Sequence, residues 1–357
     1  MRTRVGVIFG GRSREHEISI LSAAAVISAM DRGKYEPVPF AISKDGGWYH
    51  VGMDFEGLEE LTDPRIPALF SGARRVTFED FDNMTDFALP MLHGPFGEDG
   101  TIQGLFEMLC KPYAGPGVAE AAVSMDKVFM KEIWHRSGLP QCGFTYTTKH
   151  ACSGSDDNGT GSGLKQEASR IEKEIPYPIF IKPANMGSSV GVSKVENRAE
   201  LEAAIEKALL YDKRVIAEAT LKGRELEIGV LGNGTVEVSA VGEILVETEY
   251  YDYDSKYRGS GTKLAIPADI PEGVRRGIEA LAERAYRELD GEGFARIDMF
   301  YDEEREQVYL SEMNSIPGFT RFSMFPRLWE AKGLGFSELV ERIIELGYER
   351  HNASHYR

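Results

Sequence analysis

The sequence contains little cysteine. Three cysteines, Cys110, Cys142 and Cys152, occur among 357 residues, and no two of them form a closely spaced pair. An odd number of scattered cysteines argues against the disulfide framework of a small secreted domain and against the ligand spacing of a zinc site. We therefore expect free thiols and a cytoplasmic protein.

Basic residues are fewer than acidic residues. The chain has 41 Lys and Arg against 57 Asp and Glu, which gives a formal net charge of −16. Nucleic acids and anionic membranes bind basic surfaces, so we expect neither as a partner. A small anionic ligand is still compatible with this charge, because a few local Lys and Arg side chains can bind it.

Long hydrophobic runs are absent. No stretch approaches the roughly 20 apolar residues needed to cross a bilayer, and residues 1–5 lead into a strand pattern without a signal-peptide segment. The hydrophobic fraction of 42% nevertheless excludes a disordered chain. The length of 357 residues suggests two or three domains.

The order of strand and helix patterns predicts a mixed α/β fold. Apolar runs at residues 5–9, 35–42 and 87–92 alternate with helical patterns, which indicates a parallel sheet in the first third of the chain. Residues 225–231 and 237–241 alternate polar and apolar side chains around a Gly-Asn-Gly turn, which predicts an antiparallel hairpin. The chain therefore does not form one continuous parallel sheet.

Three predictions concern the middle of the chain. Residues 125–135 have the spacing of a single helix, and residues 190–195 have the pattern of a strand. Residues 153–163 consist of Ser, Gly, Asp, Asn and Thr without an apolar side chain. This composition predicts a flexible surface insertion that takes no part in the chemistry.

A glycine-rich turn at residues 10–17 follows the first strand. It lacks the third glycine of a dinucleotide-binding motif, so that function is not indicated. Glu15 places a carboxylate in this turn, which suits the ammonium group of a ligand. The alternative is that the acidic residues only favour the positive end of the helix that follows.

A second loop, His-Gly-Pro-Phe-Gly-Glu-Asp-Gly at residues 93–100, comes directly after a strand. Loops at strand ends form the binding edge of parallel sheets, which makes His93 a candidate binding residue. A single histidine in such a position also has an ordinary structural interpretation.

The segment at residues 182–191 has the composition of a phosphate-binding loop. Lys182 ends a strand, and small residues that include Ser188 and Ser189 follow it. Backbone N–H groups, hydroxyls and a lysine together bind phosphate. No Gly-Lys-Ser/Thr sequence occurs here, so the segment is not a Walker A motif. A tight hairpin with an exposed lysine is the alternative.

A strand-borne oxygen cluster is the most specific of these motifs. Asp298 lies on one predicted strand, and Glu312 and Asn314 lie on one face of the next. Three hard oxygen ligands on neighbouring strands suit Mg²⁺, with phosphate oxygens completing the coordination. Arg296 shares that face. The alternative is a solvated strand face, although the apolar flanking residues indicate a buried setting.

A tyrosine-rich segment spans residues 250–257. It contains a lysine and is followed by Gly259 and Gly261, so we interpret it as a loop. It is either a mobile lid over a site or an ordinary packed loop.

These motifs together resemble those of the D-alanine–D-alanine ligase family, which has the ATP-grasp fold. Seven segments occur in the family's order along the chain. They are residues 10–17, 93–100, 124–127 (Ser-Met-Asp-Lys), 187–191 (Gly-Ser-Ser-Val-Gly), 251–257 (Tyr-Asp-Tyr-x-x-Lys-Tyr), 296–298 (Arg-Ile-Asp) and 312–318 (Glu-x-Asn-Ser-x-Pro-Gly).

The resemblance implies three domains and an ATP-dependent synthesis of D-alanyl-D-alanine through an acyl phosphate. The implied domains are an N-terminal α/β substrate domain (residues 1–122), a central ATP-grasp domain (123–218) and a C-terminal ATP-grasp domain (219–357) with a lid loop at 247–263. ATP would lie between the last two domains, with two Mg²⁺ or Mn²⁺ ions. A homodimer is implied in the same way.

The resemblance also assigns roles to individual residues. The implied substrate and catalytic groups are Glu15 for the first ammonium, His93 beside the first substrate, Arg296 and Gly318 for the oxyanion, Lys256 and Ser323 for the second substrate, and Tyr257 and Ser188 as links to Glu15. The implied nucleotide and metal groups are Lys127, Lys182, Ser188, Ser189 and Lys256 at the phosphates, Glu218 to Leu221 at adenine, Glu225 at ribose, and Asp298, Glu312 and Asn314 at the metals.

Three alternatives remain open. A D-alanine–D-lactate ligase would use the same fold, but Tyr257 within the complete tyrosine segment favours D-alanine as the second substrate. Another ATP-grasp ligase that joins a carboxylate to an amine would not require both Glu15 and that segment. A non-catalytic nucleotide-binding relative would be expected to lack a metal ligand or a phosphate lysine, and none is missing.

Overall fold

The computed structural model describes residues 1–154, 163–246 and 262–353. Its first sheet has five strands: β1 (Thr3–Gly10), β2 (Tyr35–Ile42), β3 (Trp48–His50), β4 (Arg74–Arg75) and β5 (Phe87–Pro90). Strand β1 lies between β2 and β5 and is parallel to both, whereas β3 and β4 are antiparallel additions at one edge. The helices of this part are α1 (His16–Ala29), α2 (Phe78–Met84) and α3 (Thr101–Met108).

The middle of the chain forms a second, antiparallel sheet. Two helices, α4 (Val118–Met125) and α5 (Lys127–Arg136), precede it. The strands are β6 (Phe144–Thr148), β7 (Ile179–Pro183), β8 (Ser193–Val195) and β9 (Arg214–Ala219), in the order β6–β9–β7–β8. The accompanying helices are α6 (Lys149–Ser153), α7 (Gly163–Glu174) and α8 (Arg198–Ala208).

The third sheet is also antiparallel. Its strands are β10 (Arg224–Leu231), β11 (Glu237–Val246), β12 (Thr262–Ala265), β13 (Phe294–Asp302) and β14 (Gln307–Asn314). Their order is β12–β11–β10–β13–β14, so the predicted β10–β11 hairpin is confirmed. The helices are α9 (Glu272–Glu288), α10 (Met324–Ala331) and α11 (Phe336–Ala353). The mixed α/β class is therefore confirmed.

Two local predictions are corrected. The single helix expected over residues 125–135 is divided, because the Asp126 carboxylate accepts the backbone N–H groups of Val128 and Phe129 and so starts a new helix at Lys127. The strand expected at 190–195 is limited to β8, since Ser188 and Ser189 have φ angles of 51° and 57°. Extended pairing cannot begin within that left-handed turn.

The hydrophobic cores join the two ends of the chain. Val5 and Phe9 of β1 belong to the same buried cluster as Phe325 of α10 and Ile343 of α11. The second sheet has a separate cluster that includes Ile181 and the residues of α7 and α8 that face it. The first sheet and the helices that follow β14 are therefore joined by one shared core.

The three-domain division stays a prediction. The first predicted boundary, at 122, lies within α4, and the second, at 218, falls within β9, which ends at Ala219. Among the described residues, no helix combines the length and apolar character that a membrane span requires.

Candidate active site

The β13–β14 pair carries the predicted oxygen cluster. The register sets Asp298 opposite Glu312 and Arg296 opposite Asn314, so the predicted shared face is confirmed. The Arg296 guanidinium donates Nε to Asp298 Oδ1 at 2.7 Å and Nη2 to Oδ2 at 2.8 Å. The Asn314 amide also donates to Asp298 Oδ2, at 2.9 Å.

A further carboxylate, which the sequence interpretation missed, completes this cluster. Glu227 of β10 is the other strand neighbour of Asp298, and its Oε2 lies 3.0 Å from Arg296 Nε. Burial acts to lower the pKa of Arg296, but the charges of Asp298 and Glu227 outweigh it and raise that pKa well above its usual value. The alternation of polar and apolar side chains over residues 225–231 could have indicated that Glu227 lies on the polar face of this strand.

The donor set fits a hard divalent cation. Asp298 and Glu312 offer carboxylate oxygens and Asn314 an amide oxygen, which are ligands that Mg²⁺ and Mn²⁺ prefer. Among the residues that the structure describes, no three His, Cys, Asp or Glu side chains converge as a ready metal site. The arginine and amide contacts of Asp298 would have to rearrange for an ion to bind there.

Lys127 lies beside this carboxylate face. It begins α5, and its Nζ donates to Met186 O at 2.9 Å and lies 3.4 Å from Glu312 Oε2. Its own N–H donates to Ala184 O at 3.0 Å. One lysine thus links the loop after β7 to the acidic strand β14, which is where a phosphate chain between the two sheets would need a positive charge.

Lys182 and Glu218 form a buried ion network with a third residue that the sequence interpretation missed. Lys182 Nζ lies 2.6 Å from Glu218 Oε2, and Lys131 Nζ lies 3.0 Å from Glu218 Oε1. Burial acts to raise the pKa of Glu218, but the two lysines lower it to about 2. The only signal for Lys131 was its position four residues after Lys127, on the same helix face.

The predicted adenine and ribose residues lie at the junction of the second and third sheets. Only Glu218 and Ala219 of the expected adenine segment belong to β9, and Leu221 lies in the partly buried connection to β10. Glu225 lies near the start of β10, opposite Ile244 and Phe300. The Glu218 carboxylate is engaged by the two lysines, so the nucleotide roles of these residues stay predictions.

The turn after β1 meets the glycine loop of the second sheet. Ser188 Oγ donates to Glu15 Oε1 at 2.6 Å, so the predicted contact between these residues is present. The left-handed φ angles of Ser188 and Ser189 turn the loop back towards the first sheet. A Cβ atom added at Gly94 would lie 3.3 Å from Glu15 Oε2, so the loop after β5 also approaches this carboxylate closely.

His93 is buried and bridges the first and third sheets. Its Nδ1 lies 3.1 Å from Ile316 O, and its Nε2 lies 2.9 Å from Ser22 Oγ. Because a carbonyl oxygen only accepts, Nδ1 carries the proton and Nε2 accepts the serine hydroxyl. Burial lowers the pKa of His93, although the charge of Glu15 opposes this shift. The lowered pKa favours the neutral imidazole ring.

Glu98 is a second group that the sequence interpretation did not single out, although it lies in the His93 loop. Its Oε2 accepts the Gly94 N–H at 2.6 Å, and its Oε1 accepts the Ile316 N–H at 3.0 Å. Burial, followed by the charge of Glu15, raises the pKa of Glu98 to about 8.

The remaining predicted residues follow β14 or lie in the tyrosine segment. Gly318 comes close to Ser323, since a Cβ atom on this glycine would lie 2.9 Å from Ser323 Oγ. Ser323 Oγ accepts the Thr320 N–H at 3.1 Å. Lys256 and Tyr257, like most of the predicted lid and residues 155–162 of the predicted insertion, lie outside the described residues.

The arrangement defines a class of protein. Lys127 of α5 faces the Glu312 carboxylate of the third sheet, and Glu15, in the turn after β1, contacts the loop after β7. The fold is that of the ATP-grasp enzymes, since two solved ligases superpose on it with a TM-score of 0.83 each. One is the D-alanine–D-alanine ligase from Coxiella burnetii, 30% identical, with 98% of this chain and 95% of that chain covered. The other is the VanG D-Ala:D-Ser ligase from Enterococcus faecalis, 32% identical, with 97% and 100% covered.

Sequence comparison is more specific. Residues 4–116 match the family model for the D-ala D-ala ligase N-terminus, and residues 133–345 match that for the C-terminus. A D-alanine–D-alanine ligase from Geobacillus thermodenitrificans is 42% identical, over 98% of this chain and 97% of that protein. One from Clostridium novyi is 40% identical, over 99% and 100%. The chain belongs to the D-alanine–D-alanine ligase family.

Proposed function

We propose that this protein joins two D-alanine molecules in an ATP-dependent reaction and so supplies D-alanyl-D-alanine for peptidoglycan. The observation that carries the proposal is the hydrogen bond from Ser188 to Glu15. This contact supports the proposal because it joins a carboxylate, the kind of group that binds an ammonium ion, to a loop whose composition is typical of phosphate binding. The relatives named D-alanine–D-alanine ligase, at about 40% identity over nearly the whole chain, support the same reaction.

The chemistry follows from transfer of a phosphoryl group to a carboxylate. The carboxylate of the first D-alanine attacks the γ-phosphorus, and ADP leaves. The amine of the second D-alanine then attacks the acyl carbon, and phosphate leaves. Such steps require charge stabilisation and positioning more than covalent help from the protein. Exclusion of water also matters, because an acyl phosphate hydrolyses readily.

Individual roles are part of the proposal. Lys127 and Lys182 bind the ATP phosphates together with Ser188 and Ser189. Asp298, Glu312 and Asn314 hold Mg²⁺ or Mn²⁺, which supplies positive charge at the transferring phosphoryl group when bound. Arg296 and the Gly318 N–H stabilise the oxyanion that forms when the amine attacks. His93 neighbours the first substrate.

The remaining binding roles complete the proposed set. Lys256 and Ser323 orient the second substrate, and Tyr257 closes over the site as part of the lid. Glu218 to Leu221 border adenine, and Glu225 binds the ribose.

We propose a cytoplasmic location and a homodimeric state for the enzyme. Cys110, Cys142 and Cys152 are free thiols in the structure, which agrees with a reducing cytoplasm. A homodimer is proposed from the family alone, and light scattering in solution tests it.

The test of the reaction measures phosphate release with ATP and Mg²⁺ in parallel mixtures. These contain D-alanine alone, D-alanine with D-lactate, D-alanine with D-serine, and L-alanine, and mass spectrometry identifies each product. We expect release with D-alanine alone and formation of the dipeptide. A preference for D-serine, the second substrate named for the Enterococcus faecalis structure, or for D-lactate would replace the proposed substrate pair.

The metal assignment has its own test. Glu312→Gln is expected to abolish turnover while the fold survives, because it removes one charge from the predicted metal site at the β13–β14 pair. Glu304→Gln, at an exposed position in the turn of the same hairpin, is the matched control and should turn over normally. Turnover of Glu312→Gln within about twofold of the parent would refute the assignment, since even the loss of a residue that only supports a metal ligand costs about tenfold or more.

A further inference from the structure

The short segment from Ile316 to Phe319, between β14 and α10, is held at both ends by the first part of the chain. Three side chains do this: Ser22 of α1, and His93 and Glu98 of the loop after β5. The segment contains Gly318, whose N–H is proposed to stabilise the oxyanion. Its position is therefore set by a part of the molecule more than 200 residues away in sequence.

Both backbone polar groups of Ile316 are bound. Its N–H donates to Glu98 Oε1 at 3.0 Å, and its carbonyl accepts from His93 Nδ1 at 3.1 Å. Pro317 follows, and its ring fixes φ, so the orientation imposed at Ile316 passes on to Gly318.

The far end of the segment is bound in the same way. The Phe319 N–H donates to Ser22 Oγ at 3.4 Å, and the Ser22 hydroxyl donates in turn to His93 Nε2 at 2.9 Å. The Phe319 side chain is buried against Phe294 and Phe325, at ring-centroid distances of 5.4 and 5.3 Å. Gly318 thus lies between two anchored residues.

The second oxygen of Glu98 reaches the substrate side of the site. Oε2 accepts the Gly94 N–H at 2.6 Å, and Gly94 closely approaches Glu15. One carboxyl group therefore holds both the backbone beside the ammonium-binding carboxylate and the backbone that leads to the oxyanion donor. The distance between the Glu15 carboxylate and the Gly318 N–H must match the distance from the ammonium group to the carboxyl group of one amino acid.

We infer that Glu98 is a positioning residue, which aligns the Gly318 N–H with the acyl carbon of the first substrate by holding Ile316 and Gly94 at a fixed separation. Ser22 supports the same alignment from the Phe319 end. The inference rests on the proposed ligase function. Glu98 acts through backbone groups and does not itself contact the reacting atoms.

The test measures acyl phosphate formation and dipeptide formation separately. Glu98→Met keeps an unbranched side chain but leaves the Gly94 and Ile316 N–H groups without an acceptor. We expect dipeptide formation to fall about 30-fold or more, as for a displaced oxyanion donor. Acyl phosphate formation, measured as positional exchange of ¹⁸O between the β,γ-bridge and β-nonbridge positions of ATP, should stay within about threefold of the parent, because that step does not use the oxyanion donor.

Two variants calibrate this result. Glu98→Gln retains one acceptor oxygen, so its rate of dipeptide formation should lie between those of the parent and Glu98→Met. Asp99→Asn is the matched control, since the Asp99 carboxylate also accepts two backbone N–H groups, those of Phe96 and Thr101, but only within its own loop. Dipeptide formation by this control should stay within about threefold of the parent, as a change confined to one loop predicts.

Two results would overturn the inference. One is normal dipeptide formation by Glu98→Met, and the other is an equal loss of both steps together with a lower melting temperature, which indicates a structural role only. If Glu98→Met does not fold, Ser22→Ala provides the test. We expect this variant to lose dipeptide formation, by a smaller factor, while acyl phosphate formation stays normal. An unchanged ratio of dipeptide formation to acyl phosphate formation would be the contrary result. Failure of the proposed function itself would be seen in the parent enzyme, which would then make no D-alanyl-D-alanine.

Discussion

Glu218 shows how single charges are accommodated in the interior. Its carboxylate is almost fully buried and is shared by Lys131 and Lys182, which come from α5 and β7. An interior charge is tolerated only when partners compensate for its lost hydration. The network therefore ties a helix and two strands together and fixes the position of the Lys182 side chain.

The Glu218 network predicts a pH-dependent stability difference. Glu218→Gln leaves two lysines without their counter-charge, so it should lower the free energy of unfolding at pH 7 by about 3–5 kcal/mol. The pKa of Glu218 is lowered from 4.5 to about 2, so its contribution is present above pH 4.5 and is lost as the pH falls towards 2. Urea unfolding at several pH values should show the gap between parent and variant narrowing in that window.

The control for this comparison is an exposed ion pair. Glu283 pairs with Arg287 one turn along α9, at 2.8 Å. Glu283→Gln should change the free energy of unfolding by no more than about 0.5 kcal/mol at any pH. A gap between parent and Glu218→Gln that stays constant from pH 7 to pH 2 would contradict the assigned pKa.

Residue-level prediction from the sequence succeeded where the signal was local. Asp298, Glu312 and Asn314 could be placed on one face because strand alternation is a short-range rule. Glu98 and Lys131 were missed for the opposite reason. Their partners, Ile316 and Glu218, are 218 and 87 residues away, and only the tertiary fold brings them together.

Among the elements, α10 connects the site to the core. Phe325 in its first turn is fully buried and contacts the rings of Phe294 and Phe319. Phe319 is also one of the two anchors of the segment that contains Gly318. Packing of this helix therefore contributes to stability and to the geometry of the site.

The α10 packing gives a stability prediction. Phe325→Ala should lower the free energy of unfolding by about 3–5 kcal/mol, because it leaves a cavity among aromatic rings. Phe322→Ala is the matched control, since Phe322 is 69% exposed. It should change stability by about 0.5 kcal/mol or less. Chemical denaturation of both variants makes the comparison, and equal losses would contradict the packing argument.

Element boundaries could be predicted where a capping side chain marks them. The Asn197 carboxamide accepts the Glu200 N–H at the start of α8, as its sequence position predicts. The break at Asp126 was missed although its carboxylate also caps a helix, because apolar spacing continues across this position and conceals the boundary. The start of β8 was missed because serine, unlike glycine, gives no warning of a left-handed turn.

At the scale of the whole molecule, the separate cores predict separate units of cooperativity. Ile343 of α11 shares a core with β1, whereas Ile205 of α8 packs in the core of the second sheet. Ile343→Ala should therefore speed amide hydrogen exchange in β1 and leave β7 unchanged, and Ile205→Ala should do the reverse. Exchange followed by mass spectrometry tests this, and a uniform increase across both sheets in either variant would show a single cooperative unit.

The shared core of β1 and α11 also has a consequence for synthesis. The first sheet and α1, which packs on it, emerge from the ribosome early, but α10 and α11, which complete the same core, are translated only after the second and third sheets. The second sheet, with its self-contained core, can complete its folding during translation, ahead of the sheet that precedes it. The apolar surface that β1 and α1 share with α11 consequently stays incomplete for most of the chain's elongation, so a nascent chain stalled before residue 336 should be a client for chaperones that bind exposed apolar segments.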